Sequence, residues 1–390
     1  MKKLKDNLIV KLLIGIVIGI ILGSVVGEGV IQVLLTIKHL AGQFIFFCIP
    51  LVIIGFIAPA IINLQTDATK MLVTVLFIAY ISSVGAAAFS TVSGYIIIPH
   101  LNIPDTAEGL RELPELLFKL DIPAIMPVIS ALVLSIILGL VVVWTKSETF
   151  EKLLKEFHNI MLNVVEKMVV PVLPIYILTT FAGLAYEGGI TKQLPVFIKA
   201  ILLVIIGHFI WMAILYGIGG LISKKNPKEV FKHYLPAYLT AVGTMSSAAT
   251  MPVALKCARK SKVLDREVVD FTIPICSQIH LCGSVLTETF FVMTISQILY
   301  GEMPPLGTMI LFIILLGVFA VGAPGVPGGT VMASLGIVTS VLGFDDTGVA
   351  LLLSIFALQD SFGTACNITG DGAIALMLTG LFKKEKEPGK

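Results

Sequence analysis

The stretch LLLSIFALQDSFGTACNITGDGAIALMLTGLF, residues 351–382, has the apolar flanks of a membrane-spanning helix around a polar centre. This centre contains Asp360, Thr364, Asn367 and Asp371, and the stretch has neither Lys nor Arg. Intervals of four, three and four residues place these side chains in one stripe along a helix. Two protonated, merely packed Asp side chains are the alternative. Because ionisable groups inside a membrane are costly and usually functional, the stripe predicts a site for a positively charged partner.

The composition is that of a membrane protein with many spans. The 390 residues are 56% hydrophobic and 13% charged, with a mean hydropathy of +0.99, whereas soluble domains carry about 25% charged residues. A net charge of +2 gives no reason to expect a nucleic-acid partner. The chain has no nucleotide-binding G-x-x-x-x-G-K-[ST] motif, no G-x-S-x-G motif and no Cys/His cluster with zinc spacing. We therefore expect neither a cofactor nor an enzymatic activity.

Apolar runs long enough to span a bilayer, which takes about 20 residues, recur along the chain. We predict eight spanning helices, at 8–26, 30–63, 71–99, 122–145, 155–186, 194–222, 267–299 and 346–382. With both termini in the cytoplasm, the outer loops hold only Arg111, Lys119 and Lys192, and the other loop Lys and Arg residues lie inside. This asymmetry predicts a multi-pass membrane protein with cytoplasmic termini. We also expect the cell membrane of a prokaryote as its location.

Two further apolar stretches, at 234–255 and 306–343, are interrupted in the middle. The first contains TAVGTMSSAATMPVALK (240–256) and the second FAVGAPGVPGGTVMAS (319–334), whose Gly and Pro residues cannot continue a helix. Irregular backbone survives at membrane depth only when it is buried in protein or lines an aqueous cavity. One stretch opens from the inside and the other from the outside, which is typical of the inverted repeats of secondary transporters. We interpret them as two re-entrant helical hairpins.

Four segments resemble the dicarboxylate/amino acid:cation symporter family, the glutamate transporter homologues. They are FFCIPLV (46–52), SSAATMPV (246–253), GVPGG (325–329) and DSFGTACNITGD (360–371). The resemblance implies an all-α polytopic homotrimer in the lipid bilayer, with eight transmembrane helices, two re-entrant hairpins and an elevator-type mechanism. It assigns residues 8–63 and 112–186 to a scaffold. The mobile transport elements would be 71–99, 194–222, 228–262 (first hairpin), 263–300, 305–344 (second hairpin) and 346–382.

The same resemblance implies a binding site for an amino acid. Asp360 would bind the substrate ammonium, and Ser246 and Ser247 would meet its carboxylate, with Asn367 and Thr364 beside them. The second hairpin, from Val326 to Thr330, would close over the substrate as a gate. Close helix packing is the alternative role of Ser246 and Ser247, since small residues are common at helix contacts in membranes.

The chain departs from the family where acidic substrates are bound. Transporters of acidic substrates usually have an Arg before the Thr of the last helix, but Gly363 stands here, and Met245 occupies the alternative Arg position. Without an Arg, the second carboxylate of a substrate would be buried and unpaired. We therefore expect a small neutral amino acid, similar to serine, threonine or alanine. A dicarboxylate or acidic amino acid is the alternative, with His280 or a distant Lys as its partner.

The family signature N-M-D-G-T is also missing, since His280, Leu281, Cys282, Gly283 and Ser284 occupy its positions. The sodium site that depends on the Asn and Asp side chains is therefore absent. The resemblance also implies two other sodium sites, which are built mainly from backbone carbonyls. One combines the Asp371 carboxylate with carbonyls of Cys276, His280 and Asn367, and the other uses carbonyls near Gln278, Val321 and Ala323. We expect fewer coupled sodium ions than is usual in the family.

Protons are the second candidate for a coupling ion. Glu288 lies within a predicted span, where the animal glutamate carriers of the family keep a proton-accepting Glu. A Glu that leaves water for a low-dielectric interior prefers its neutral form. His280 lies eight residues earlier, and it is either a proton relay or a neutral hydrogen-bonded residue.

Two other classes of membrane protein share parts of this pattern. A channel would need an open polar pore rather than an occluded stripe with gates. An intramembrane enzyme would need a nucleophile–base pair, but Asp360 and Asp371 lie about 16 Å apart along a helix that rises 1.5 Å per residue. A carrier fits the stripe and the two hairpins better than either class.

Overall fold

The computed structural model describes residues 8–66, 70–101, 111–188, 190–323, 325 and 327–382, and these residues form helices and no β-strand. The first half contains α1 (Leu8–Val25), α2 (Glu28–Thr66), α3 (Lys70–Ile97), α4 (Val128–Thr145), α5 (Glu148–Val164), α6 (Val170–Glu187) and α7 (Ile190–Ser223). The second half contains α8 (Pro227–Phe231), α9 (Leu235–Thr244), α10 (Ser247–Ala258), α11 (Arg266–Ile279), α12 (Cys282–Tyr300), α13 (Leu306–Gly322), α14 (Gly329–Ser340) and α15 (Asp346–Leu381).

The predicted all-α polytopic fold is confirmed. Within the described ranges, 6 helices are long and apolar enough to cross a membrane by length and composition. They are Glu28–Pro59, Lys70–His100, Glu148–Glu187, Leu194–Ser223, Arg266–Tyr300 and Asp346–Leu381. The shorter apolar helices α1 and α4 have 18 residues each, about 27 Å at 1.5 Å per residue, which is close to the thickness of the hydrocarbon core.

Three predicted boundaries differ from the structure because of local chemistry. The span predicted at 122–145 begins only at Val128, since Pro123 and Pro127 disfavour helix in the residues before them. The span at 155–186 begins earlier, at Glu148, and widens into a π-helical turn at Val165–Val169 just before Pro171. The span at 267–299 is two helices, α11 and α12, which break at His280 and Leu281.

Both interrupted stretches form helical hairpins, as predicted. The first hairpin joins α9 to α10 through Met245, which has a φ of 52°, and the extended Ser246. The second joins α13 to α14 through a tip in which Gly328 has a φ of 72°, a left-handed conformation that glycine adopts readily. Each hairpin therefore places the start of a short helix at its tip.

The base of the first hairpin is held by Glu229 in the short helix α8. Its carboxylate accepts hydrogen bonds from the Ser261 hydroxyl and from the Lys262 N–H at 3.2 Å, and His233 Nε2 lies 3.3 Å away. Burial raises the pKa of Glu229, but these hydrogen bonds and the nearby Lys232 lower it further, to about 2. Glu229 thus remains charged and ties α8 to the loop after α10.

The helices pack in two neighbouring groups. In one group, α1 packs on α6, and α2 packs on α4, α5 and α6. In the other, α15 packs on α7, α9, α11 and α12, and α3 packs on α12 and α13. This grouping parallels the division into scaffold and mobile elements, which stays a prediction.

Glycines set the closest helix contacts in both groups. A Cβ atom on Gly23 of α1 would overlap the Ala182 carbonyl oxygen of α6. A Cβ atom on Gly283 of α12 would lie 2.5 Å from the Gly363 carbonyl oxygen of α15. Only glycine permits these approaches, and the second one brings the start of α12 against the polar centre of α15.

Candidate functional site

The tips of the two hairpins meet through Ser246. Its Oγ accepts a hydrogen bond from the Ala249 N–H at 3.2 Å, so it caps the N-terminus of α10. The same hydroxyl donates to the Gly325 carbonyl oxygen at 2.7 Å. A side chain at Gly325 would crowd the Ala248 nitrogen and the Ser277 carbonyl, each 3.3 Å from the position of a Cβ atom. The tips are therefore closed on one another in this structure.

Asp360 lies beneath the second tip. Its Oδ2 accepts a hydrogen bond from the Gly328 N–H at 2.7 Å, immediately before α14 begins. The side chain is 5% exposed, and the ion pairs among the described residues do not include it. A carboxylate at the start of a helix is favourably placed, but one neutral donor leaves most of its charge uncompensated.

Gly363 and Thr364 follow one turn along α15, and both are buried. A Cβ atom on Gly363 would lie 3.4 Å from the Ser284 Cα and 3.5 Å from the Ser284 Oγ, which is ordinary contact. The position therefore has room for the first atom of a larger side chain. Met245, at the alternative Arg position, is 5% exposed.

Two further predicted substrate residues, Ser247 and Thr330, are buried in the first turns of α10 and α14. Val326, which was predicted as part of the gate, lies outside the described residues. The hairpins thus bring Ser246, Ser247 and Thr330 to the same pair of tips.

Asn367 caps the start of α12. Its Oδ1 accepts hydrogen bonds from the Gly283 N–H at 2.7 Å and the Ser284 N–H at 3.2 Å. Its Nδ2 donates to the Ser284 Oγ at 2.9 Å. These are the N–H groups that a helix start leaves without intrahelical partners. The amide therefore stabilises the break between α11 and α12, a role that the sequence reasoning missed.

His280 stands at that break and contacts Asp371. The Nδ1 atom of His280 lies 2.9 Å from the Asp371 Oδ1, and its Nε2 atom lies 2.9 Å from the Ser82 Oγ of α3. The predicted ligand Cys276 already accepts the His280 N–H on its carbonyl, at 2.8 Å. The sequence analysis did not predict a role for Ser82. Hydroxyl residues within an apolar helix could have indicated one. Sodium at Asp371 stays a prediction.

The other predicted cation ligands lie on the wall of a cavity of about 980 Å³. Gln278, Val321 and Ala323 line it together with Ala248 and Gly325 of the two tips. The cavity separates α2 and α5 from α3, α11 and α13. The structure thus brings the three residues together next to the tips.

Glu288 is fully buried in α12. One of its carboxylate oxygens accepts a hydrogen bond from the Ser334 hydroxyl of α14, and the other has no hydrogen-bond partner among the described residues. The carboxylate of Glu288 and the imidazole of His280 therefore share no hydrogen-bond partner among the described residues. The sequence analysis did not predict that Ser334 contacts Glu288, because nothing in the residues around Ser334 indicates such a contact.

A second buried imidazole, that of His208 in α7, also contacts α12. His208 Nε2 lies 3.0 Å from both the Gly283 carbonyl oxygen and the Thr287 Oγ1. The Thr287 hydroxyl donates to the Gln359 Oε1 at 2.8 Å. This network joins α7, α12 and α15. The sequence analysis did not predict it, although a single His within the apolar helix α7 could have indicated a buried polar contact.

Comparisons with known proteins agree with this architecture. Similar proteins include excitatory amino acid transporter 2 of Homo sapiens (28% identical over 242 residues, 60% of this chain and 41% of that protein). Excitatory amino acid transporter 1 of Ambystoma tigrinum is 26% identical over 299 residues, 74% of this chain and 53% of that protein. Excitatory amino acid transporter 3 of Bos taurus is 29% identical over 268 residues, 67% of this chain and 50% of that protein.

The matches thus span about half the length of these relatives or less. The model of the sodium:dicarboxylate symporter family matches residues 8–381, which is nearly the whole chain. The chain belongs to the sodium:dicarboxylate symporter family.

Proposed function

We propose that the protein is a cation-coupled symporter that takes up a small neutral amino acid, similar to serine, threonine or alanine. The observation that carries this proposal is the buried Asp360 carboxylate beneath two closed hairpin tips, with one backbone N–H as its hydrogen-bond donor. An α-ammonium group supplies the missing positive charge and up to three donors. The family of symporters to which the chain belongs supports transport rather than catalysis.

The surroundings of Asp360 favour a substrate with one carboxylate. The described residues place no Lys or Arg in an ion pair with the stripe on α15. Gly363 and Met245 stand where the family's acidic-substrate carriers have an Arg. A second carboxylate would lose its hydration without gaining a partner, at a cost of several kcal/mol. A hydroxyl or methyl side chain would instead fit beside Gly363 and Ser284.

The hairpin tips supply partners for the substrate carboxylate. Ser246 and Ser247 stand at the N-terminus of α10, where the Ser247 hydroxyl and the backbone N–H donors favour an anion. The contact of Ser246 with Gly325 closes the tips, so release of a substrate would require the second hairpin to open. The cavity beside Ala248 and Gly325 then offers the route away from the site.

Coupling in this proposal uses sodium, protons or both. The carbonyls near Gln278, Val321 and Ala323 suit a hard cation, which accepts oxygen ligands irrespective of the side chain. Glu288 is buried, and one of its two carboxylate oxygens has no hydrogen-bond partner among the described residues, so it can cross the membrane in its protonated form. The carrier would work as a homotrimer in the cell membrane, with cytoplasmic termini and the second group of helices moving as an elevator.

An acidic amino acid or a dicarboxylate is the second candidate substrate. The name of the family and the names of the excitatory amino acid transporters favour it. His280 or a distant Lys was its predicted partner. The imidazole is held between Asp371 and Ser82, and the ion pairs of the described residues bring no Lys to the stripe. The local chemistry therefore favours the neutral substrate.

The test is an uptake panel with the purified full chain in proteoliposomes. Radiolabelled serine and aspartate are offered under an inward sodium gradient, an inward proton gradient, both gradients or neither. We expect saturable serine uptake that needs an ion gradient and that excess alanine or threonine inhibits. Preferred uptake of aspartate would overturn the neutral substrate, and uptake that ignores both gradients would overturn the symporter.

A further inference from the structure

The gap between α3 and α15 is filled by the side chain of His280. The backbone of this residue is extended, with φ −102° and ψ 95°, which ends α11. The imidazole then reaches Asp371 of α15 through Nδ1 and Ser82 of α3 through Nε2, each at 2.9 Å. All three side chains are buried, with exposed fractions of 0%, 0% and 5%. One ring therefore connects a carboxylate to a hydroxyl across two helices.

The oxygen atoms around this ring are of the kind that binds a hard cation. Carboxylate, hydroxyl and carbonyl oxygens are the ligands that such cations take, whereas an imidazole nitrogen is a ligand for softer metals. Asp371 and Ser82 supply two such oxygens, and both are engaged by ring nitrogens. Oδ2 of Asp371 has no hydrogen-bond partner in the described part of the chain. The ring thus engages one of the two carboxylate oxygens and leaves the other unpaired.

The ring is seated in this gap by its neighbours. A Cβ atom on Gly370 of α15 would lie 2.9 Å from the His280 Cε1, so the imidazole lies directly against the glycine backbone. The N–H of His280 donates to the Cys276 carbonyl at 2.8 Å, which fixes the start of the side chain. An ion at Asp371 Oδ1 would have to displace a ring that both helices hold.

We infer that the imidazole of His280 takes the place of a coupling sodium ion between α3 and α15, so His280 determines that Asp371 binds no sodium. The inference rests on the proposed function, since a coupling ion has meaning only in a cation-coupled carrier. It replaces the sequence prediction of sodium at Asp371. Sodium coupling then falls to the carbonyl site near Gln278, Val321 and Ala323. The ring supplies permanently the cross-helix connection that an exchangeable ion would make only when bound.

The test measures binding of radioactive sodium (²²Na⁺) to the purified full chain, with no amino acid present. In the parent chain, Asp371→Asn should leave sodium binding unchanged. His280→Asn opens the oxygen-lined gap and should add one sodium ion per chain. Asp371→Asn in the His280→Asn background should remove this added ion. Loss of sodium on Asp371→Asn in the parent, or no gain on His280→Asn, would overturn the inference.

Controls separate this effect from damage to the fold. His208→Asn removes another buried imidazole from α7 and should add no sodium site. His280→Gln is the second variant if His280→Asn does not elute as a folded oligomer, and it should gain sodium in the same way. The parent itself offers an independent measurement, an experimental structure in high sodium chloride. An ion at Asp371, or an imidazole turned away from it, would contradict the inference.

The outcome is distinct from that of the uptake panel, because sodium binding is measured without a substrate. If no amino acid is taken up, the proposed function fails while the sodium data stand. If uptake succeeds and the parent binds sodium through Asp371, only the role of His280 fails.

Discussion

Replacing Asp360 by Asn tests the charge that carries the proposed binding site. The parent carboxylate is 5% exposed, has one N–H donor at 2.7 Å and forms no ion pair with a described residue. The substrate ammonium would therefore be its main electrostatic partner. Removing one member of a buried ion pair costs about 3–5 kcal/mol, or roughly a 150- to 5,000-fold weaker substrate affinity.

The fold should survive this change. The amide oxygen of the substituted side chain can still accept the Gly328 N–H, so the contact between α15 and the second hairpin tip persists. A hydrogen bond to a neutral acceptor is weaker than one to a charged acceptor by about 1 kcal/mol. Loss of an unpaired buried charge offsets that cost. We expect a melting temperature within a few degrees of that of the parent.

The assay is equilibrium binding of radiolabelled serine to the purified protein in saturating sodium. Asp270→Asn is the matched control, because Asp270 of α11 forms an exposed ion pair with Arg259, at the end of α10 that lies away from the tip. The control should bind serine like the parent. A folded Asp360→Asn variant that binds serine within threefold of the parent would refute the assignment of Asp360.

Four further predictions test other parts of the argument. Gly363→Arg should shift uptake from serine towards aspartate, because a guanidinium pairs with a second carboxylate; Gly363→Gln, which adds bulk without charge, should not. Glu288→Gln should still exchange serine but should lose the serine accumulation that a proton gradient drives. If a proton gradient does not affect uptake by the parent, Glu288 is a packing residue. Gly23→Ala should lower the free energy of unfolding by about 1–3 kcal/mol through overpacking against Ala182, whereas Gly27→Ala, with open space around it, should have little effect. Glu229→Gln should lower the melting temperature at pH 7. Because the folded pKa of Glu229, about 2, lies below the ordinary value of 4.5, its stabilisation should fade as the pH falls from about 4.5 towards 2; a constant difference between variant and parent over that range would contradict this.

The helices and hairpins could be predicted because their causes lie within short segments. Apolar runs of sufficient length mark the spans, and Gly325, Pro327 and Gly328 mark the second tip. The helix starts also have local signals, since Asp265 caps α11 and Asp345 caps α15 through side-chain hydrogen bonds. The π-helical turn before Pro171 has a local cause that was overlooked.

The break between α11 and α12 could not be predicted in the same way. Residues 278–282 contain neither Pro nor Gly, so their local propensities favour one continuous helix. The break is stabilised from a distance, because Asn367 supplies the cap for α12 and Asp371 and Ser82 hold His280. Partners 83 to 198 residues away in the chain leave no local mark on this segment.

The stripe on α15 shows why residue types can be predicted more readily than their partners. Helical spacing correctly placed Asp360, Asn367 and Asp371 on a buried helix, but an elongated face meets several neighbours. Asp360 contacts the second hairpin tip, Asn367 caps α12, and Asp371 contacts His280. The two carboxylates therefore meet different chemistry about 16 Å apart on one rigid helix that rises 1.5 Å per residue. Because that distance rules out direct contact, substitution of His280 should change ion dependence without changing the amino acid that Asp360 selects.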